Sequence, residues 1–228
     1  TGVVNTARID QKKRNVMGPI QGAKRKLVTI SNCVVFPESL PAGIDELMMM
    51  EKGELKLKPE YVGIDRICCI DVGGHSVDII LFDALSNRVI NKKTIESGVL
   101  KLVDRMQNRL GKMLELSVPV ERSVATKAIE TKVYDGHDLT DIIDEVSLPL
   151  VQKIMSTVAE VASPRSTDLF LIVGGGAQLV EKPMRSYTDA SKVVIPENPD
   201  EAIVRGAFKM LETRVQQETI HQHKAVKI

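Results

Sequence analysis

The sequence predicts an α/β protein in which a mixed sheet carries helices on both faces. Three apolar runs, at 66–71, 77–83 and 89–95, are separated by short turns and read as an antiparallel meander. After Gly98 the apolar period changes from 2 to 3.6, which marks helices. Toward the C-terminus, strand and helix signals alternate, as they do in α/β folds.

The elements follow in order. Residues 8–26 read as a basic loop, with Arg8, Lys12, Lys13, Arg14, Lys24, Arg25 and Lys26 around Gly18, Pro19 and Gly22. Such a run is either a contact patch for an acidic partner or a solvated face. Residues 27–36 are rich in valine and read as a strand. Pro37-Glu38-Ser39-Leu40-Pro41-Ala42-Gly43 then forms a turn, a helix runs through Met50, and 53–64 is a charged connection. The meander comes next, with Asn87 at its second turn. Val99, Leu102, Met106, Leu110 and Met113 share one helical face, and 120–129 is a weaker helix. A helical pattern covers 139–161. Pro149 within it either kinks the helix or opens a second one capped by Ser147. Residues 168–173 read as a buried strand, 177–187 as a helix despite Pro183, and 192–195 as a short strand. Asn198-Pro199-Asp200-Glu201 has the composition of a helix start, with Asn as the cap, Pro in the first position and Glu in the third. Ala202, Ile203, Gly206, Met210 and Leu211 line the helix that follows.

Composition narrows the function classes. At roughly 150 residues per domain, 228 residues make about one and a half domains. Thirty-one basic and 30 acidic residues give a net charge of +1, so the surface as a whole does not attract a nucleic-acid backbone. Aromatic residues are 3% with no Trp, which argues against a base-stacking platform. No apolar run approaches the ~18 residues of a membrane span. Neither direct nucleic-acid contact nor membrane insertion is expected. Cys68 and Cys69 are adjacent on a strand and point to opposite faces, a spacing of no zinc or redox motif. With Cys33 they suit a reducing cytoplasm. The chain begins Thr-Gly-Val-Val, which reads as a piece of something longer. His221 and His223 lie two apart and share no helical face, so residues 219–224 read as a solvated tail rather than a metal site.

Three constellations can carry chemistry. In Asp71-Val72-Gly73-Gly74-His75-Ser76-Val77-Asp78, an apolar strand delivers Asp71 to its end. Gly73 and Gly74 let backbone approach a ligand, and backbone N–H groups with the Ser76 hydroxyl can cradle phosphate oxygens. Asp71 is placed to hold Mg²⁺ through water, since that ion keeps several waters and few carboxylates. A plain hairpin turn explains the same glycines. In Leu171-Ile172-Val173-Gly174-Gly175-Gly176-Ala177, three glycines between strand and helix let a helix N-terminus sit against a ligand, and a tightly packed turn needs them equally. The pair together is stronger than either alone. In Phe36-Pro37-Glu38-Ser39, a carboxylate on a short turn can orient an attacking water, although an exposed loop Glu near a helix start looks the same.

These three pieces, in this order, resemble the actin-like ATPases of the actin and sugar-kinase superfamily, whose fold is a ribonuclease-H-like mixed sheet. Residues 34–43, Ile70-Asp-Val-Gly-Gly, Val173-Gly-Gly-Gly-Ala-Gln-Leu and Ala202-Ile-Val-Arg-Gly-Ala are similar to the ParM (StbA) plasmid-segregation actins. The resemblance covers about 27–212. It implies that Glu38 positions the hydrolytic water, that Asp71 acts through Mg²⁺ and water, and that Asp78 lies near the attacking water. It implies that Gly73, Gly74, His75 and Ser76 face the β- and γ-phosphates and that Gly174, Gly175, Gly176 and Ala177 hold adenosine. His75-Ser76 departs from the two threonines usual there; an imidazole is bulkier and titrates near neutrality. The family has two related domains, the first opening with an Asp-x-Gly phosphate loop that does not occur before Glu38. Residues 1–30 are therefore expected to be the end of the first domain, 31–198 the second domain, and 199–228 a closing helix that packs toward the first, with a tail.

The resemblance implies an ATPase that polymerises with ATP into filaments, segregating plasmid or phage DNA through a DNA-binding adaptor. Its ligands would be ATP or ADP and Mg²⁺, and its partners other copies of itself and the adaptor. The alternatives are a non-filamentous member of the superfamily (chaperone-like ATPase, cell-division scaffold or kinase) or a fragment that does not bind nucleotide. A kinase needs a sugar pocket with an Asp base, for which no motif is found, and only about 16 residues follow Glu212, too few for a chaperone's substrate domain.

Overall fold

The computed structural model describes residues 6–21, 25–36, 39–84, 86 and 88–225, with backbone alone for 26 and 217–225. The chain divides into two compact units, 1–38 and 39–228.

The first unit contains α1 (Thr6–Val16), β1 (Gly18–Gln21) and β2 (Lys26–Ile30), with β1 and β2 paired antiparallel. The basic loop expected at 8–26 is thus largely helix and strand. Helix α1 buries no residue and lacks an apolar stripe, so its periodicity gives no signal. The strand expected over 27–36 ends at Ile30.

The second unit is built on a five-stranded sheet. It opens with α2 (Ser39–Leu47), whose Pro41 lies in the first turn, where no intrahelical N–H is needed. The helix expected through Met50 stops at Leu47, because β3 (Met48–Glu51) turns back onto β4 (Glu54–Leu57). Lys52 and Gly53 both take positive φ, as a two-residue hairpin turn requires. Then come β5 (Arg66–Val72), β6 (Val77–Asp83) and β7 (Arg88–Ile95), the expected meander. Next are α3 (Val99–Met113), α4 (Arg122–Thr131), a small hairpin of β8 (Val133–Tyr134) and β9 (His137–Asp138), and α5 (Thr140–Val161). That hairpin turns on Asp135-Gly136, both at positive φ. Helix α5 runs unbroken through Pro149, with the Ser147 hydroxyl donating to the Asp144 carbonyl at 3.1 Å rather than capping a new helix. The chain closes with β10 (Leu169–Val173), α6 (Ala177–Tyr187), β11 (Val193–Val194) and α7 (Ala202–Ala225). The backbone at 219–224 is therefore helical, not the tail expected there.

The sheet order is β11-β10-β5-β6-β7. β10 is parallel to β5 and β11, while β5, β6 and β7 are antiparallel, so the sheet is mixed as expected. β5 is buried except at Arg66, and β10 throughout, which is why both read as near-continuous apolar runs. One face carries Cys68, Ile70, Val72, Ile79, Leu81, Phe170 and Ile172 against Ile154 and Val158 of α5 and Val180 and Met184 of α6. The other carries Ile67, Cys69, Ile80, Phe82, Leu169 and Leu171 against Ala42 and Leu47 of α2 and Ala202 of α7. The two cysteines thus lie in opposite layers, both buried, and burial pushes both thiols up from the ordinary range. A third cluster, with Val103, Met106, Leu110, Ala125, Ala128 and Ile143, gives α3, α4 and the start of α5 their own core. Among the described residues no helix is long and apolar enough to cross a membrane.

Candidate functional site

The site grows from the end of the sheet where β5 and β10 finish side by side. Val173 pairs with Asp71 in the parallel ladder, and Asp71 pairs with Asp78 across the antiparallel one. Both strands run straight into glycines. After β5, Gly73-Gly74-His75-Ser76 makes the turn to β6, closed by the Gly73 N–H donating to the Ser76 carbonyl at 3.0 Å. After β10, Gly174-Gly175-Gly176 leads into α6.

The two turns touch. Gly174 has φ +87°, and a Cβ there would lie 2.5 Å from Asp71 Oδ1 and 2.7 Å from the Val72 carbonyl. The Gly176 N–H donates to that same carbonyl at 3.0 Å. A side chain at 174 would face both a left-handed backbone and the carboxylate, so the turn needs glycine. Gly175 differs: it is exposed, and nothing lies within 4 Å of the place a Cβ would take. The turn therefore presents open backbone just where its neighbours are packed.

Asp71 is buried, at 8% exposure, while Asp78 is half-buried and accepts a short hydrogen bond from the Thr94 hydroxyl of β7. His75 is exposed and Ser76 half-buried; Ala177, the first residue of α6, is buried. The structure thus gathers Asp71, Asp78, Gly73, Gly74, His75, Ser76, Gly174, Gly175, Gly176 and Ala177 at one end of the sheet. Glu38 lies outside the described residues.

Two further pieces complete this end, and neither stood out in the sequence as a site residue. Gly98, before α3, would place a Cβ 2.3 Å from the Gly73 carbonyl and 2.5 Å from that of Gly74. The first amides of α3 are spent on those carbonyls, Val99 N–H on Gly73 at 3.0 Å and Leu100 N–H on Gly74 at 2.9 Å. This helix start therefore braces the turn. The second piece is the turn at 198–201. Instead of the helix start expected there, α7 begins at Ala202, and Glu201 N–H donates to the Asn198 carbonyl at 3.2 Å. The Pro199 carbonyl is thereby free to accept the Gly174 N–H at 2.8 Å. Among the described residues no three metal-ligating side chains cluster.

The comparisons with known proteins fit this geometry. A family model for the C-terminal part of the archaeal MreB-like actin homologues matches residues 69–186, more than half of the chain. The chain belongs to that actin-homologue family. A second model, for the N-terminal part of the plasmid segregation protein ParM, matches residues 1–49. An archaeal actin homologue solved in complex with ADP superposes with TM-score 0.70 at 13% identity, over 93% of this chain and 68% of that one. Bacillus thuringiensis ParM with ATP gives 0.63 at 14% identity, over 92% and 65%. ParM in a 15-stranded filament from Clostridium botulinum gives 0.64 at 15% identity, over 90% and 62%. These likenesses show an actin-like fold. No curated protein sequence matches the chain. The chain spans about half to two thirds of the length of such structures. The actin-homologue match begins at Cys69, within β5, and ends at Ser186, within α6, so it takes in both glycine turns.

Proposed function

We propose that this chain is the second domain of an actin-like ATPase that polymerises with ATP in the cytoplasm and moves plasmid or phage DNA through a DNA-binding adaptor. Residues 31–198 form that domain, 1–30 end the first domain, and 199–228 contain the closing helix. The observation that carries this is the meeting of the 73–76 and 174–176 turns at Asp71, with Gly174 backbone against its carboxylate. Relatives of the same fold are solved with ADP, with ATP and as a filament, which supports the nucleotide and polymer parts of the reading.

The residues fit such a ligand. Gly175 leaves the 174–176 turn open to an approaching adenosine, which would rest on Gly174, Gly175, Gly176 and Ala177. Gly73, Gly74, His75 and Ser76 would face phosphate oxygens. Asp71 would hold Mg²⁺ through water; one carboxylate suits an ion that keeps most of its waters. Bound Mg·ATP supplies the electrophilic phosphorus and most of the counter-charge. Glu38 would orient the attacking water, and Asp78, fixed by Thr94, would lie beside it. The protein's part is positioning and electrostatics, as in other phosphoryl transfers.

Two measurements test this. Calorimetric titration of the chain with ATP·Mg²⁺ should show binding that requires Asp71. Light scattering of the longer protein, with its first domain, should show ATP-dependent polymer that persists in Glu38→Ala while phosphate release falls. Absence of polymer under every nucleotide would remove the filament reading and leave a non-filamentous ATPase.

A further inference from the structure

One guanidinium of the second unit grips two carboxylates at once. Asp45 of α2 is 7% exposed, and its Oδ2 accepts from Arg205 of α7 through Nε and Nη2, both at 2.8 Å. The third nitrogen of the same fork, Nη1, pairs with Glu201 at 3.2 Å. A planar fork holds both partners in fixed directions, which a lysine ammonium does not. The Asp45 end is anchored. Lys209 Nζ pairs with its Oδ1 at 2.9 Å and donates to the Asp45 and Met48 carbonyls at 2.8 and 3.2 Å. Nearby, a Cβ on Gly206 would collide with the Pro41 carbonyl, so α2 and α7 meet backbone to backbone. The end that the fork can steer is therefore Glu201. The Glu201 side chain is largely exposed, and an exposed pair four residues apart adds little to stability. What the contact supplies is placement.

Glu201 closes the turn that touches the glycines. Its N–H donates to the Asn198 carbonyl at 3.2 Å, the long limit for such a bond, so the backbone of 198–201 holds itself weakly. Within that turn the Pro199 carbonyl accepts the Gly174 N–H at 2.8 Å. Proline fixes φ but leaves the direction of its carbonyl to the rest of the turn. Gly174 and Gly176 are both buried, yet they are held differently. The Gly176 N–H donates to the Val72 carbonyl of β5 at 3.0 Å, a partner within the sheet, whereas the Gly174 N–H depends on 198–201.

We infer that Arg205 is a positioning residue for the glycine turn: by setting Glu201 against Asp45 it fixes the 198–201 turn and keeps the Pro199 carbonyl on the Gly174 N–H. Gly174 then stays at positive φ with its backbone against Asp71, and Gly175 stays presented as open backbone. Arg205 acts through the turn, not on the ligand. Its part in binding rests on the reading of that turn as a nucleotide site.

The test compares wild type, Arg205→Lys and Glu201→Ala by hydrogen–deuterium exchange of the glycine amides, read by NMR, and by affinity for fluorescent ADP·Mg²⁺. In Arg205→Lys, which keeps the charge but loses the fork, the Gly174 amide should exchange at least about tenfold faster while that of Gly176 stays within about threefold of wild type. Affinity for ADP·Mg²⁺ should fall about fivefold, because the turn is misplaced rather than lost. Glu201→Ala should shift both readouts in the same directions. A merely structural Arg205 would speed Gly174 and Gly176 together, and that outcome overturns the inference. So does unchanged Gly174 exchange in both variants, and so does faster Gly174 exchange with unchanged affinity. Should Arg205→Lys fail to fold, Glu201→Ala, which alters an exposed side chain, decides the matter alone. Wild type that binds no nucleotide overturns the functional reading itself, a separate outcome read before any variant is compared.

Discussion

Asp71 and Asp78 stand directly opposite one another in the antiparallel β5–β6 ladder, at the end of the sheet where the glycine turns meet. Two carboxylates in that relationship repel, by about 0.2–1 kcal/mol. A cation held near them would relieve that repulsion. Asp71→Asn keeps the side-chain volume and removes one of the two charges. Its Mg²⁺-dependent affinity for nucleotide should fall at least about tenfold, with a melting temperature within about 3 °C of wild type. Differential scanning fluorimetry with nucleotide titrations in Mg²⁺ and in chelator measures both. A lower melting temperature with unchanged affinity would make Asp71 a structural residue.

The glycines around the site divide into packed and open ones, and the division is measurable. Gly98→Ala forces a methyl to within 2.3 Å of the Gly73 carbonyl, and backbone on both sides must move. Overpacking of this kind costs about 1–3 kcal/mol, so the variant should melt several degrees lower with or without ligand. Gly175→Ala meets nothing within 4 Å and should leave stability within about 0.5 kcal/mol. It does, however, put a methyl on the open backbone proposed to receive adenosine, so its nucleotide affinity should fall. Equal behaviour of the two variants would contradict this division.

That contrast bears on what the sequence makes legible. Strands β5, β6 and β10 and helices α3, α5 and α6 show in the pattern because each buries a regular stripe or a whole strand. Helix α1 buries nothing and leaves no such trace. The β8–β9 hairpin has two residues per strand, too few for alternation, yet Asp135-Gly136 is a recognised hairpin dipeptide and was its available signal. At the site, Asp71 and the two glycine turns stand out because each ends an apolar strand. Gly98 does not, since its reason for being glycine is the Gly73 carbonyl across the fold. The Asp45–Arg205 pair is 160 residues apart in the chain, and no local pattern carries it.

The same pair sets an acid limit on stability. Burial alone would raise the Asp45 carboxyl, but hydrogen bonds and charge from Lys209 and Arg205 outweigh it and hold the group below its ordinary 3.8. A carboxyl depressed in the folded state stabilises fully above its unfolded value, and that contribution is lost as pH falls through the folded one. Wild type should therefore exceed Asp45→Asn by a constant margin above about pH 5, with the gap closing below about pH 4. The margin should be about 2 kcal/mol, below the ~3–5 kcal/mol of a fully buried broken pair, because a third of the Arg205 side chain remains exposed. Thermal melts from pH 7 to 3 follow the gap directly; a margin that widens in acid would assign the stabilisation to another group.

Helix α7 carries a face that the described residues leave uncovered. Val204, Phe208, Leu211 and Val215 are 70, 64, 58 and 53% exposed, at spacings of four, three and four that set them in one stripe. The opposite side of the helix holds Ala202, Arg205, Gly206 and Lys209 against α2 and the sheet, so α7 is anchored on one side and apolar on the other. A helix anchored on one side and apolar on the other has a second face to bury, as the closing helix proposed for residues 199–228 would need. Phe208→Ser with Leu211→Ser should change the melting temperature of this chain by no more than about 2 °C, since neither group is buried in it. In the longer protein with its first domain, the same pair should lower the melting temperature by well over that amount and open the 199–202 segment to protease. Equal, small effects in both chains would show that the first domain docks elsewhere.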